Sequence, residues 1–340
     1  MSGLSYRAGM ARRASGFSVI ELMIALVLGL LLTMGALSIF LSGRAAFRTT
    51  EDLSRVQEAG RIAFELMARD VREAGGNHCA STIRLGNVVT ERDNAFWTNW
   101  NNSLTGVNGS TAFATPAFGF GSAAGGRVSG TDGLEIHSTE DLGLYVTAPM
   151  TAKDSDLTVS AVPSDVKADD VLMVCDFRLA SLFKATSVGA NAIAHGTGGN
   201  CSTGFSRETA LLCKDDAAIP DTSWHRYGAS ATVVRPHLVR WFIGNNDSGS
   251  KSLFRAVVDS KGIQSTPDEV AEGVSQMALT YLVNGRTDYQ PAASIAAADW
   301  VKVKAARVVL TLESERKSGI GNESISRSVT AVLAMRNRNL

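Results

Sequence analysis

Charge of one sign is not in excess in this chain: 33 Lys and Arg balance 33 Asp and Glu over 340 residues. Without a basic field, nothing favours a nucleic-acid partner. Histidine is scarce. His78, His137, His195, His225 and His237 are dispersed, with no HxxxH or HxxE pair, so no metal site is expected. The four cysteines show no CxxC spacing, which argues against zinc or thioredoxin-like chemistry. No GxSxG elbow occurs, and no acid pair stands in a hydrolase context. GFGSAAGG at 119–126 follows no strand signal and opens no helix, so it reads as loop glycine and not as a phosphate cradle. NNDSGS at 245–250 lacks the spacing and closing glutamate of a calcium loop and reads as a turn. No catalytic residue, cofactor or metal is therefore expected, and the chain does not read as an enzyme.

What is present starts near the N-terminus. Residues 12–41 read RRASGFSVIELMIALVLGLLLTMGALSIFL, a basic leader ending at Gly16 and then an apolar run broken only by Glu21. A run of this length can cross a bilayer as a helix, which takes roughly 20 apolar residues. A secretory signal peptide would have its small-residue cleavage site after a shorter apolar stretch. Here the small residue comes first, so a cut between Gly16 and Phe17 removes only the leader. Gly16, Phe17 and Glu21 together resemble the type IV prepilin signal: glycine, then an aromatic, with glutamate at the fifth mature position. The resemblance implies cleavage by prepilin peptidase, N-methylation of Phe17, and an assembly charge pair between Glu21 and another subunit's N-terminal ammonium. An acid inside a membrane span costs roughly 2.5–3.5 kcal/mol on insertion scales, which is the physical reason such a residue has a partner.

The leader holds Arg7, Arg12 and Arg13 and no acid, so its loss leaves a nearly neutral mature chain. Those arginines also orient the span with its N-terminus in the cytoplasm. The expected location is the inner membrane, single-pass, with the following domain in the periplasm and carried into an extracellular filament. In that oxidising compartment Cys79, Cys175, Cys201 and Cys213 read as disulfides, with three pairings open. Cys201–Cys213 is favoured because both sit in one short polar excursion, which leaves Cys79–Cys175. The alternative for Cys175, inside VLMVC, is a buried thiol.

Helix signals continue past the span. From Arg44 to Ala74 there is no proline, and Leu53, Val56, Gly60, Ala63, Met67, Val71 and Ala74 recur at steps of three and four. Asp52, Arg55, Glu58, Arg61, Glu65, Arg69, Asp70 and their neighbours are expected to face outward. Gly75-Gly76-Asn77 supplies a stop. Beyond it the period changes to two, and nine segments read as strands: 134–138, 144–147, 157–161, 171–175, 232–243, 252–258, 275–283, 301–312 and 326–335. GNNDSGS at 244–250 reads as a hairpin turn. Residues 97–133, rich in Gly, Ser, Thr and Asn, read as a long surface excursion ordered only in parts. The expected organisation is a leader (1–16), a transmembrane half-helix (17–41), an amphipathic half-helix (42–75) and a β-rich globular domain (76–340), an α+β, pilin-like architecture.

Residues 52–79 narrow the resemblance. Gln57, Gly60, Arg61, Ala63, Leu66, Asp70, Arg72, Ala74, Gly75 and Cys79 fill a pattern similar to that of the PilW family of minor pilins. LFR at 253–255, EGV at 272–274, DW at 299–300, VVLTLES at 308–314 and RNR at 336–338 agree more weakly, and the middle of the chain is matched mainly by VCD at 174–176. Gly76-Asn77-His78 departs from the aromatic and glycine often found there, and Ser38 stands where major pilins usually carry proline. The resemblance implies a minor pilin that helps initiate type IV pilus assembly near the filament tip. Its implied partners are other minor pilins, the major pilin, prepilin peptidase, the inner-membrane assembly platform, membrane lipid and a tip adhesin. Two alternatives share the leader or the loop-rich middle: a J-like pseudopilin of type II secretion, and a tip adhesin or DNA-uptake subunit.

Overall fold

The computed structural model describes residues 16, 18–75, 84–90, 102–206, 223–317, 319 and 323–335. It is an α+β protein, a 55-residue N-terminal helix on a β-rich domain. Helix α1 spans Val19–Glu73 without a break, passing straight through Ser38. Its start is fixed by a capping box: Ser18 Oγ accepts from the Ile20 amide at 3.3 Å, and Glu21 Oε2 accepts from the Ser18 amide at 3.1 Å. The helix stops at Ala74, and Gly75 takes φ +67°. There its amide donates to the His137 carbonyl at 2.9 Å, and a Cβ would fall 2.7 Å from Ser103 Cβ. Only glycine meets both demands at once.

After the helix come β1 (Arg84–Asn87), β2 (Leu104–Val107), β3 (Gly133–Tyr145), β4 (Leu157–Thr158), β5 (Val171–Cys175) and β6 (Leu179–Lys184). Short strands follow at β7 (Ser187–Val188), β8 (Ala192–Ala194), β9 (Phe205–Ser206) and β10 (Trp224–His225). The C-terminal third holds β11 (Thr232–Asn245), β12 (Lys251–Val258), β13 (Asp268–Glu272), β14 (Val274–Val283), β15 (Gln290–Pro291), β16 (Val303–Glu313) and β17 (Ser326–Ala334). Eight strands form the larger sheet, in the order β1-β6-β5-β11-β12-β13 with β3 and β2 branching from β11. Along one edge β11 pairs with β5 over Thr232–Val234 and with β12 from Leu238 onward; Pro236 sits in the gap between them. The smaller sheet runs β15-β14-β16-β17, antiparallel throughout.

Both sheets close on the second half of α1. Val56, Ala63, Met67, Val71 and Ala74 join Leu134, Ile136, Trp241 and Ile243 of the larger sheet and Leu279, Val308, Leu310 and Leu312 of the smaller one in a single core. Gly60 lets the helix approach β16 and β17, its missing Cβ facing Leu312 and Val329 at 3.6 and 3.9 Å. A second core around Phe183, Phe205, Tyr227 and Ile193 fills the far end of the larger sheet. From Val19 to Leu41 the helix touches nothing, and every large apolar side chain there is exposed. That stretch is long and apolar enough to cross a membrane.

Three expectations need correction. Asp52 and Asp70 are buried on the packed face of α1, not turned outward. The segments expected at 134–138 and 144–147 are one strand, β3, which continues into an isolated bridge at Val146. The 97–133 excursion, where described from residue 102, is packed: β2 pairs with β3, Phe113 is buried against Phe242, and Arg127 is fully buried. The predicted 244–250 turn joins β11 to β12, with Asn246 Oδ1 accepting from the Ser248 and Ser250 amides at 3.1 and 2.9 Å and Gly249 at φ +78°.

Candidate functional site

Two regions carry the candidate functional residues, the helix start and the helix–domain joint. At the start, Gly16, Ser18 and Glu21 are exposed. The Glu21 carboxylate closes the capping box on its own chain through Oε2. Helix N-termini carry unpaired amides and a positive dipole end, so an acid in the first turn is favoured even before any partner arrives. Phe17 lies outside the described residues, as do Gly76, Asn77, His78, Cys79, Cys213 and the closing RNR.

At the joint, Asp70 anchors the helix to the larger sheet. Its Oδ2 accepts from Trp241 Nε1 and from Arg255 Nε, both at 2.8 Å, while Oδ1 accepts from Arg255 Nη2 at 3.3 Å. Trp241 lies on β11 and Arg255 opposite it on β12, a directly facing pair. One carboxylate on α1 thus bonds two adjacent strands. Nearby His237 has its pKa lowered, first by burial and then by the Arg255 charge. At the other end of the packed half, Arg316 Nη1 lies 3.4 Å from Glu51 and 3.9 Å from Asp52. Beside it a groove of about 280 Å³ runs between α1 and the 270–273 and 313–316 segments.

A third cluster holds the excursion down. Arg127 donates to the carbonyls of Thr111 at 2.7 Å, Thr131 at 3.2 Å and Asn108 at 3.3 Å, and its guanidinium lies 4.4 Å from the Phe113 ring centroid. Arg240 approaches the same ring at 4.8 Å while donating to Glu135 at 2.9 Å and Gln264 at 2.7 Å. Burial lowers the Arg127 pKa to about 10, against the raising charges of Asp132 and Glu135, and burial raises that of Glu135. Two cations stacked on one aromatic, with every carbonyl contact local, bind a loop to a sheet (cation–π contacts are strongest when desolvated).

The remaining sequence candidates do not converge. His195 is buried beside Phe205 at 4.6 Å and hydrogen-bonds the Ser155 carbonyl at 3.0 Å. His225 pairs with Asp176 at 2.7 Å, and the His137 carbonyl receives the Gly75 amide. Among the described residues no group of three or more His, Cys, Asp or Glu could hold a metal. Cys175 is fully buried at the end of β5 and Cys201 is half-buried; no cysteine among the described residues is a free thiol.

Comparison with protein-family models agrees with this geometry at both ends. Residues 11–37 match the prokaryotic N-terminal methylation motif, and residues 240–334 match the family described as type IV pilus-assembly protein W, PilW. Both matches are those of a PilW-family type IV pilin with a prepilin signal. No curated protein and no solved structure gives a significant match. The family match spans β11 to β17 and so includes Trp241 and Arg255, two of the three members of the Asp70 joint. Asp70 and Arg255 both belong to stretches similar to the family pattern, yet their pairing was hidden in the sequence. A charged residue on a helix reads as solvent-facing unless its partner, 185 positions away, is known.

Proposed function

We propose that this pilin is a minor subunit that helps initiate type IV pilus assembly and is carried near the filament tip. The observation behind this reading is the division of α1: an exposed apolar half that begins at the prepilin signal, and a half whose other face is locked into a β-rich domain. Prepilin peptidase cuts between Gly16 and Phe17, Phe17 is N-methylated, and the apolar half stays in the inner membrane with the domain in the periplasm. The domain boundaries in this reading are 1–16, 17–41, 42–75 and 76–340. Lateral packing of exposed helix halves, together with a charge pair from Glu21 to a neighbour's N-terminal ammonium, recruits other minor pilins and the major pilin. In low dielectric that attraction exceeds its value in water. Disulfides Cys79–Cys175 and Cys201–Cys213 fix the domain; the lack of free cysteine among the described residues supports them.

The test is co-purification from detergent-solubilised membranes with the other pilus subunits, with intact mass recorded on the same sample. The expected result is a chain starting at a methylated Phe17 and recovered with its partners. A mature chain starting beyond Leu41, or co-purification with secretion components only, would overturn it.

A further inference from the structure

The outer strands of the two sheets are treated differently. In the larger sheet, β13 carries Asp268, Glu269 and Glu272 and lies against α1, while β1 and β2 have four residues each. In the smaller sheet, β15 has two residues, one of them Pro291. Charge, proline, shortness and cover are the devices that keep a sheet edge from pairing with another chain. The other edge of the smaller sheet, β17, is neither short nor broken by proline; α1 packs on one of its faces through Val329 and Leu333, and no strand pairs with its outer edge among the described residues. It is nine residues long, SRSVTAVLA, without proline or acid and with no register shift against β16. At roughly 3.3 Å per residue it presents an edge of about 30 Å. Seven of its nine residues are exposed, among them Val329 at 37% and Val332 at 54%. Its one charge, Arg327, has no ion-pair partner among the described residues.

We infer that β17 is a docking edge that takes an extended segment of a neighbouring pilus subunit as the fifth strand of the smaller sheet. The inference rests on the pilin reading above. Main-chain hydrogen bonds supply the affinity in such strand addition, and alternate side chains supply the choice of partner. The chemistry of the occupant follows from the edge. Its backbone is extended, with small or β-branched residues beside Val329 and Val332 and an acid opposite Arg327. Every second amide of β17 points away from β16, and among the described residues none of these donates to a backbone carbonyl. The docked segment continues the antiparallel ladder already built by β14, β16 and β17.

Hydrogen exchange on the full mature protein tests this, first alone in detergent and then in the co-purified complex with the other minor pilins. Peptides covering 326–334 should slow at least about tenfold in the complex, equivalent to about 1.4 kcal/mol of local stabilisation, while peptides covering β13 keep their rates. Arg327→Glu should leave the thermal transition of the domain in place and lower recovery of the complex at least about fivefold, an effect of about 1 kcal/mol. An intact complex in which 326–334 exchanges at the free rate overturns edge docking and leaves the pilin reading standing. Failure to form any complex removes both. Recovery unchanged by Arg327→Glu rejects the acidic complement and with it the occupant named here.

Discussion

Asp70 shows how one residue can join an element to a fold. Its carboxylate is nearly buried, and all three of its bonds run to Trp241 and Arg255 on neighbouring strands. Asp70→Ala leaves the Arg255 charge and the indole N–H without their acceptor, at a cost of about 2–3 kcal/mol by the scale for hydrogen bonds to charged groups. Denaturant titration of the mature protein, followed by Trp241 fluorescence, checks this; a loss under half a kcal/mol would show the joint to be ornamental. Glu21 poses a different question, because the structure gives it a local job as a cap. Gln at that position keeps the capping geometry and loses the charge, whereas Ala loses both. Glu21→Gln is therefore expected to impair co-purification with partner subunits as severely as Glu21→Ala. Normal recovery with Gln but not Ala would transfer the residue's role from charge pairing to helix capping. Buried His195 and half-buried His237 set a pH limit. His195 and His237 both have pKa values lowered by burial. The unfolded chain then binds protons that the folded one refuses, so their contribution is complete above an unfolded pKa near 6.5 and is lost as pH falls through that value toward the folded pKa. The melting temperature should drop between pH 7 and pH 5.5, and His195→Gln should reduce that drop.

At the scale of elements, the helix face was largely legible and its exceptions were not. Val56, Gly60, Ala63, Met67, Val71 and Ala74 are buried as their spacing requires. Val171–Cys175 is a strand over the very range its apolar run indicates, and 252–258 and 275–283 each gain one residue. What escaped had no local signal. β2, Leu-Thr-Gly-Val, is strand only because β3 pairs with it and Tyr281 lies over Gly106, where a Cβ would not fit. β6 was unread although all but one of its residues are buried, because its sequence LASLFK has the even hydrophobicity of a strand covered on both faces. Arg127 resembles any loop arginine until Phe113 and Arg240 enclose it. The cleavage signal lies at the opposite extreme, since its chemistry is contained in consecutive residues. Gly60 gives the element-scale prediction. A Cβ there meets only ordinary contacts at 3.6 and 3.9 Å, and alanine is about 1 kcal/mol better than glycine inside a helix. Gly60→Ala should raise the melting temperature slightly, while Gly60→Leu should lower it by forcing the helix from Leu312 and Val329.

For the whole molecule, the division of labour between covalent and packed contacts can be measured. If Cys79–Cys175 and Cys201–Cys213 form as proposed, non-reducing peptide maps contain those two linked pairs. Loss of either is expected to cost about 2–5 kcal/mol. A map joining Cys79 to Cys201 would place the helix end against the polar excursion and refute the arrangement.

The unbroken run of α1 also has a mechanical meaning. At 1.5 Å per residue its 55 residues make a rod of roughly 83 Å, anchored to the domain only along its second half. Tension applied to the apolar end travels down a hydrogen-bonded column and meets the sheets side-on, where Val56, Ala63, Met67 and Val71 share the load together. Such a joint resists as a lap joint does, in shear, with no end from which to peel it. Asp70 stands near the far limit of the overlap, holding two strands at once where slippage would otherwise begin.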